Sequence, residues 1–205
     1  GPQGIGFQDV AVLIRTNSLT RSIEEVSIED RIPYEVTGGL SFFERKEVRD
    51  VLAYLKVAAN ADDDVNYIRS INTPRRGVGK RTMEIVVEAA GRLGVSLYSA
   101  AAALLEAADS PLADREKDGL REYRELMEEL RPRLLAGKRM ADALKELVDR
   151  VDYWAYLVAE NKEGDTAKWK YQNVGQLVSS LAEYAEHPDT IDPRLSEYIN
   201  RVSLP

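Results

Sequence analysis

Only two short stretches of this chain carry a strand pattern, and both lie before residue 38. Val10, Ala11, Val12, Leu13 and Ile14 form a continuous apolar run, as in a buried strand of a parallel sheet. Ile32-Pro33-Tyr34-Glu35-Val36 is the second, ended by Gly38-Gly39. Between them Leu19, Ile23, Val26 and Ile28 fall at helical spacing, with Asn17-Ser18 placed to cap that helix. The order β-α-β favours a parallel sheet. Two strands are too few for such a sheet to stand alone, so its remaining strands are expected elsewhere.

Beyond Gly39 the pattern is helical almost throughout. Val48, Val51, Leu52 and Leu55 give an apolar face to a helix over Glu44 to Ala59. Asp62-Asp63-Asp64 opens the next helix, where carboxylates suit the dipole. Helices are expected over Thr82 to Leu93, Ser96 to Ala108, Glu116 to Leu135, Met140 to Glu160, Lys168 to Glu186 and Pro193 to Val202. Asp109-Ser110-Pro111 is the candidate boundary. The expected fold class is therefore mainly α with a small parallel β element, divided into a partial α/β unit, 1–108, and an all-α unit, 109–205.

Composition narrows the chemistry. There is no cysteine and one histidine, His187, so neither thiolate nor histidine metal sites are expected, and no metal is assigned to this chain. No apolar run approaches the roughly 20 residues that span a bilayer, so no membrane partner is expected. The first residues lack the basic and apolar regions of a signal peptide, and a cytoplasmic setting is expected. Net charge is −7, with most of the acidic excess after residue 108. Non-specific nucleic-acid binding draws on counterion release and favours basic proteins, so any such contact here must be local.

One segment is locally basic. Arg75-Arg76-Gly77-Val78-Gly79-Lys80-Arg81-Thr82 holds four cations, and no acid lies between Ser70 and Met83. Its glycines permit close backbone approach and positive φ. The helix that follows offers free N–H groups and a positive dipole end to phosphate. The alternative is a glycine turn with solvated charges. It is not a Walker A loop, because Arg81 follows Gly79-Lys80 where Ser or Thr is required and Pro74 replaces the first glycine. Walker A and Walker B are both missing from the sequence, so the chain alone is expected to be inactive as an ATPase. Phe42 to Asp50 reads as an anchor followed by a helix-surface charge network. Tyr153, Trp154, Tyr156, Trp169 and Tyr171 form an aromatic concentration that reads as helix packing or a protein interface.

Four stretches together resemble the UvrD/Rep/PcrA type of superfamily 1 DNA helicase. They are Ala11 to Asn17 with Arg21, Glu24 and Glu25; Ile32-Pro33-Tyr34 with Gly38-Gly39; Phe42 to Asp50 with Tyr54-Leu55; and Asn72 to Gly79. The resemblance implies part of the second RecA-like core domain (subdomain 2A, with motif IV) over 1–108. It implies the helical insertion 2B, a regulatory or positioning element, over 109–205. It implies an ATP-dependent DNA helicase parent, translocating 3′ to 5′ in DNA repair or replication, with ATP and Mg as cofactors. Implied partners are single-stranded DNA, a duplex DNA junction, and proteins through the helical subdomain; the implied location is cytoplasmic and nucleoid-associated.

Arg15 matches the family arginine that reaches the γ-phosphate of ATP, a role its guanidinium fork suits. The alternative for Arg15 is a structural ion pair with Asp9 or Glu24. The family places a tyrosine that stacks on adenine just before this arginine; here that position is Ile14, so only the phosphate role is carried over. The resemblance sets the 75–82 turn near the single-stranded DNA track. A family hairpin that contacts duplex backbone corresponds to Val148 to Trp154, which lacks the glycine and carries two aspartates. The competing reading of the whole chain is a non-enzymatic helical protein-interaction module.

Overall fold

The computed structural model describes residues 4–15, 19–37 and 39–203. Its helices are α1 (Thr20–Glu29), α2 (Lys46–Ala59), α3 (Asp64–Ile71), α4 (Lys80–Leu93), α5 (Leu97–Glu106), α6 (Asp114–Leu134), α7 (Met140–Arg150), α8 (Tyr153–Glu160), α9 (Gly164–Glu186) and α10 (Leu195–Ser203). The mainly α expectation holds, but no strand is present among the described residues. The expected β element is therefore corrected. Val10, Val12 and Leu13 are exposed, Leu13 to 95%, in a chain segment without a ladder partner. An extended backbone becomes a strand only when a neighbour supplies its hydrogen bonds. Tyr34, Glu35 and Val36 instead line a cleft with Arg49, Leu52 and Lys56 of α2. The expected caps Asn17-Ser18 and the turn residue Gly38 lie outside the described residues.

Helix α2 is the centre of the molecule. Val48, Val51, Leu52 and Leu55 are buried as their spacing requires, and so are Ala53, Tyr54, Val57 and Ala58. It is apolar on nearly every side because α3, α6, α9 and α10 all pack on it. The connector around Asp109-Ser110-Pro111 joins α5 to α6, and helices on both sides of it contribute to one apolar cluster.

Local chemistry sets the helix ends. Asp63 caps α3 by accepting from the Asn66 N–H, and Ser96 caps α5 by accepting from the Ser99 N–H. Gly94 closes α4 at φ 68°, in the left-handed region. The single helix expected over Met140 to Glu160 is two. Asp152 sits at φ 49° and its side chain accepts from the Ala155 N–H, ending one helix and capping the next. Aspartate is among the few non-glycine residues that enter this region readily.

Phe42 to Asp50 is more than a surface network. The buried Glu24 carboxylate of α1 accepts from the Phe42 N–H (2.9 Å) and the Ser41 hydroxyl (3.1 Å), and burial pushes its pKa up. Asn173 of α9 donates to Glu47 (2.6 Å) and accepts from Arg45 (3.0 Å). Asp50, only 3% exposed, accepts from Tyr153 (3.1 Å) and Arg69 (2.8 Å) and pairs with Lys46. Asp50 thus ties α2 to α3 and α8. Asp50→Ala is expected to cost about 2–4 kcal/mol, because it strands a buried phenol and a guanidinium. Urea unfolding at neutral pH measures this; a cost below about 0.5 kcal/mol would return Asp50 to the status of a surface charge.

Candidate nucleic-acid interface

The basic turn is the link between α3 and α4, and Asn72 pins it at both ends. Its side-chain amide donates to the Val78 carbonyl, and its carbonyl accepts from the Arg76 N–H at 3.1 Å. Tyr54 adds a hydrogen bond to the Thr73 carbonyl at 2.6 Å. Gly77 adopts φ 75°, the left-handed conformation that favours glycine. Val78 is fully buried and anchors the turn in the core.

Arg76 points inward. Its side chain is 2% exposed. The guanidinium lies over the rings of Tyr54 and Tyr123, 5.7 and 5.5 Å from their centroids. It donates to the carbonyls of Ser70 (3.2 Å), Ile71 (3.1 Å) and Pro74 (3.3 Å) and to Glu122 (3.2 Å). The Ser70 and Ile71 carbonyls close the end of α3, where a cation is favoured, and that of Pro74 belongs to the turn. Burial pushes the phenol of Tyr54 up to about 12 and that of Tyr123 well above its ordinary value, so both rings stay neutral beneath the guanidinium.

Helix α6 forms the bed of the turn. A Cβ added at Gly119 would stand 2.1 Å from the Arg76 carbonyl oxygen, so the two backbones touch. Thr82, 1% exposed, donates its hydroxyl to Glu116 at 2.7 Å. Glu116 also accepts from the Ala113 N–H at 2.8 Å and so caps its own helix. The Thr82 hydroxyl, the Ala113 N–H and the nearby Arg81 charge hold the Glu116 carboxyl below its ordinary pKa.

The rest of the turn faces outward. Side-chain exposure is 84% for Arg75 and 93% for Lys80, and Arg81 is exposed. Gly79 precedes α4 with no side-chain cap, and a Cβ built on it would meet nothing within 4 Å. Its φ of −82° is open to any residue, so conformation does not require glycine there. The α4 N-terminus thus presents uncapped N–H groups on an unobstructed surface flanked by three cations. Of the eight residues expected to form the interface, Gly77 and Gly79 with Arg75, Lys80 and Arg81 are reachable, while the side chains of Arg76, Val78 and Thr82 build the support. Asn72 and Gly119 complete the site; Asn72 belongs to the stretch that carries the resemblance but had no role assigned, and Gly119 was not singled out from sequence. Their signals were an Asn ahead of a turn that holds Pro74 and Gly77, and a glycine inside a long amphipathic helix.

Arg15 is exposed on the extended segment before α1. Both carboxylates that offered it a structural pairing are engaged elsewhere: Asp9 accepts from the Gly6 N–H at 2.9 Å, and Glu24 caps the 42–44 turn. Ile14 is 36% exposed beside it. Among the described residues no group of three His, Asp or Glu could hold a metal ion. The aromatic residues lie on α8 and α9, away from the turn segment in sequence. Tyr153 is buried, Trp154 packs edge-on to Tyr171 at 5.4 Å, and Trp169 is 59% exposed.

Two glycines inside helices give opposite expectations. Gly91 in α4 faces open space, so Gly91→Ala should stabilise by about 0.5–1 kcal/mol. Gly119→Ala must push the Arg76 carbonyl away and should destabilise despite the better helix propensity. Paired thermal melts read the signs; equal stabilisation by both would refute the close approach of α6 and the turn.

The family model for the UvrD-like helicase C-terminal domain matches residues 2–205. The chain is 35% identical over 212 residues to the ATP-dependent DNA helicase UvrD1 of Mycobacterium tuberculosis, covering 98% of this chain and 27% of that protein. It is 32% identical over 199 residues to the ATP-dependent DNA helicase Rep of Salmonella typhimurium, covering 97% of this chain and 29% of Rep. It is 31% identical over 192 residues to DNA helicase II of Escherichia coli, covering 92% and 26%. The chain therefore spans about a quarter of the length of these relatives. No single helix among the described residues is long and apolar enough to cross a membrane. By its match over nearly the whole sequence, the chain belongs to the UvrD-like helicase C-terminal domain family.

Proposed function

We propose that this chain is the part of an ATP-dependent DNA helicase that grips the DNA backbone through the Arg75–Thr82 turn. The observation that carries this is Gly79, which leaves open space above the N–H groups of α4 although its backbone does not demand glycine. An open approach with Arg75, Lys80 and Arg81 around it suits a phosphodiester. Such contacts hold DNA in register without reading bases.

The turn segment contains no aromatic side chain. Single-strand grooves usually add aromatic platforms on which bases stack. This supports the duplex side of a DNA junction as the ligand of the turn, with single-stranded DNA held by other parts of the parent. The Asp152 hairpin between α7 and α8 is a poorer phosphate site, because the Asp149 and Asp152 carboxylates lie there.

In the parent, ATP binding and hydrolysis supply the free energy for movement, in the 3′ to 5′ direction implied by the resemblance. Arg15 fits the nucleotide in one respect: it is exposed, and the two acids that offered it a structural pairing accept from backbone N–H groups. Its contribution is a charge-assisted hydrogen bond to a phosphoryl group. Mg would accompany the nucleotide in the parent. The division into 1–108 and 109–205 is proposed as one of task, with the first part facing nucleotide and the second carrying α6, the bed of the DNA turn. Action in DNA repair or replication, partner proteins on the helical part, and a nucleoid location belong to the same proposal.

Two experiments test it. Gly79→Ala, and separately Lys80→Ala with Arg81→Ala, should weaken binding of the chain to a tailed duplex while leaving the melting temperature within a few degrees. The cation pair should also flatten the salt dependence, by roughly one unit of slope for each phosphate that is no longer neutralised. An unchanged affinity and slope would favour a solvated turn. The chain alone should show no DNA-stimulated ATPase, and Arg15→Ala in the parent should cut ATPase yet spare nucleotide-free DNA affinity; equal loss of both would indicate misfolding.

A further inference from the structure

We propose that Glu84, Glu116 and Glu160 are built-in counterions of the basic turn, which limit how tightly it holds DNA and reduce the salt dependence of that hold. The inference rests on the reading of the turn as a DNA grip. It starts from a pairing that sequence order hides. No acid lies between Ser70 and Met83, yet two outward cations of the turn, Arg75 and Lys80, pair with a carboxylate, and a third carboxylate, Glu116, stands at the first turn of α4. Glu160, at the end of α8, approaches Arg75 at 3.6 Å. Glu84, one turn into α4, approaches Lys80 at 3.8 Å. Glu116 of α6 is held at the first turn of α4 by the Thr82 hydroxyl at 2.7 Å, and the Arg81 charge acts on it. The three acids come from three different helices.

The two direct pairs are long and exposed, the kind that contributes little and exchanges readily. A phosphate arriving at the α4 N-terminus meets cations that are already partly neutralised. It must displace Glu160 and Glu84 and accept the nearby Glu116 charge. The carboxylates it frees then take up cations from solution. That uptake offsets part of the counterion release from DNA, so both affinity and salt slope fall below what three exposed cations would give. The internal acids lower the barrier to letting go, which suits a contact that must be remade as DNA moves. Arg76 stands outside this exchange, because its guanidinium is enclosed.

Glutamine keeps the size of each side chain and, at residue 116, the helix cap. Glu84→Gln, Glu116→Gln and Glu160→Gln, singly and together, are titrated with a tailed duplex over a range of salt, using the 205-residue chain. Each single change should tighten binding about threefold to tenfold at low salt, the scale of one screened unit charge near the site. The triple variant should steepen the salt slope by roughly one to two units. Asp189→Asn, which removes the same charge from an exposed connector, controls for net charge and should change affinity less. If the glutamine variants bind no tighter than the Asp189 variant, or bind more weakly with an unchanged slope, the counterion inference is overturned. Lys80→Ala with Arg81→Ala separates the causes. If that pair leaves binding intact, the grip reading fails and this inference with it. If it weakens binding while the glutamine variants change nothing, only the counterion inference falls.

Discussion

The buried guanidinium of Arg76 is the interaction on which the rest of the site depends. One side chain satisfies carbonyls of Ser70, Ile71 and Pro74, stacks over Tyr54 and Tyr123, and reaches Glu122. It therefore joins α2, the end of α3, the turn and α6 in one place. A buried charge is tolerated only when its donors are used and its charge is met, and both conditions hold here. With Arg76 turned inward, the turn is wedged against Gly119, and Gly79 is left at the surface. The outward cations can then act on a ligand because the inward one has fixed the loop that carries them.

A second set of polar links joins the two parts of the chain. Asp50 meets Tyr153, Glu47 and Arg45 meet Asn173, and Arg21 meets Glu183 at 3.0 Å. These sit on the faces of α2 and α1 that receive α8 and α9. Hydrophobic burial is non-directional and does not by itself name one register for those helices. The hydrogen bonds give the packing a register.

The helical order and the position of the turn could be read from apolar spacing and glycine placement; the burial of α2 on nearly every side could not, because its spacing marks only one apolar face. The family was legible too, through four short stretches whose order is hard to meet by chance. Other features were hidden for identifiable reasons. Charge in a sequence does not state direction, so Arg76 looked like its neighbours although it is enclosed. The break at Asp152 was missed because a left-handed aspartate leaves no mark in an otherwise continuous apolar pattern. The run Val10 to Ile14 has the composition of a buried strand, but a strand is a relation between segments, and no segment pairs with it among the described residues. The alternative pairing of Arg15 with Asp9 or Glu24 is not seen among the described residues, where both acids accept from backbone N–H groups.

Gly119 has a consequence for how sequences of this kind can drift. Its backbone and that of Arg76 touch, so residue 119 and the turn cannot change independently. A side chain at 119 requires the turn to lift from α6, which would uncover Val78 and pull Arg76 from its tyrosines. The position is thus a gauge. In any related chain, glycine there is compatible with the same seated turn, and a larger residue marks a turn that must be built another way.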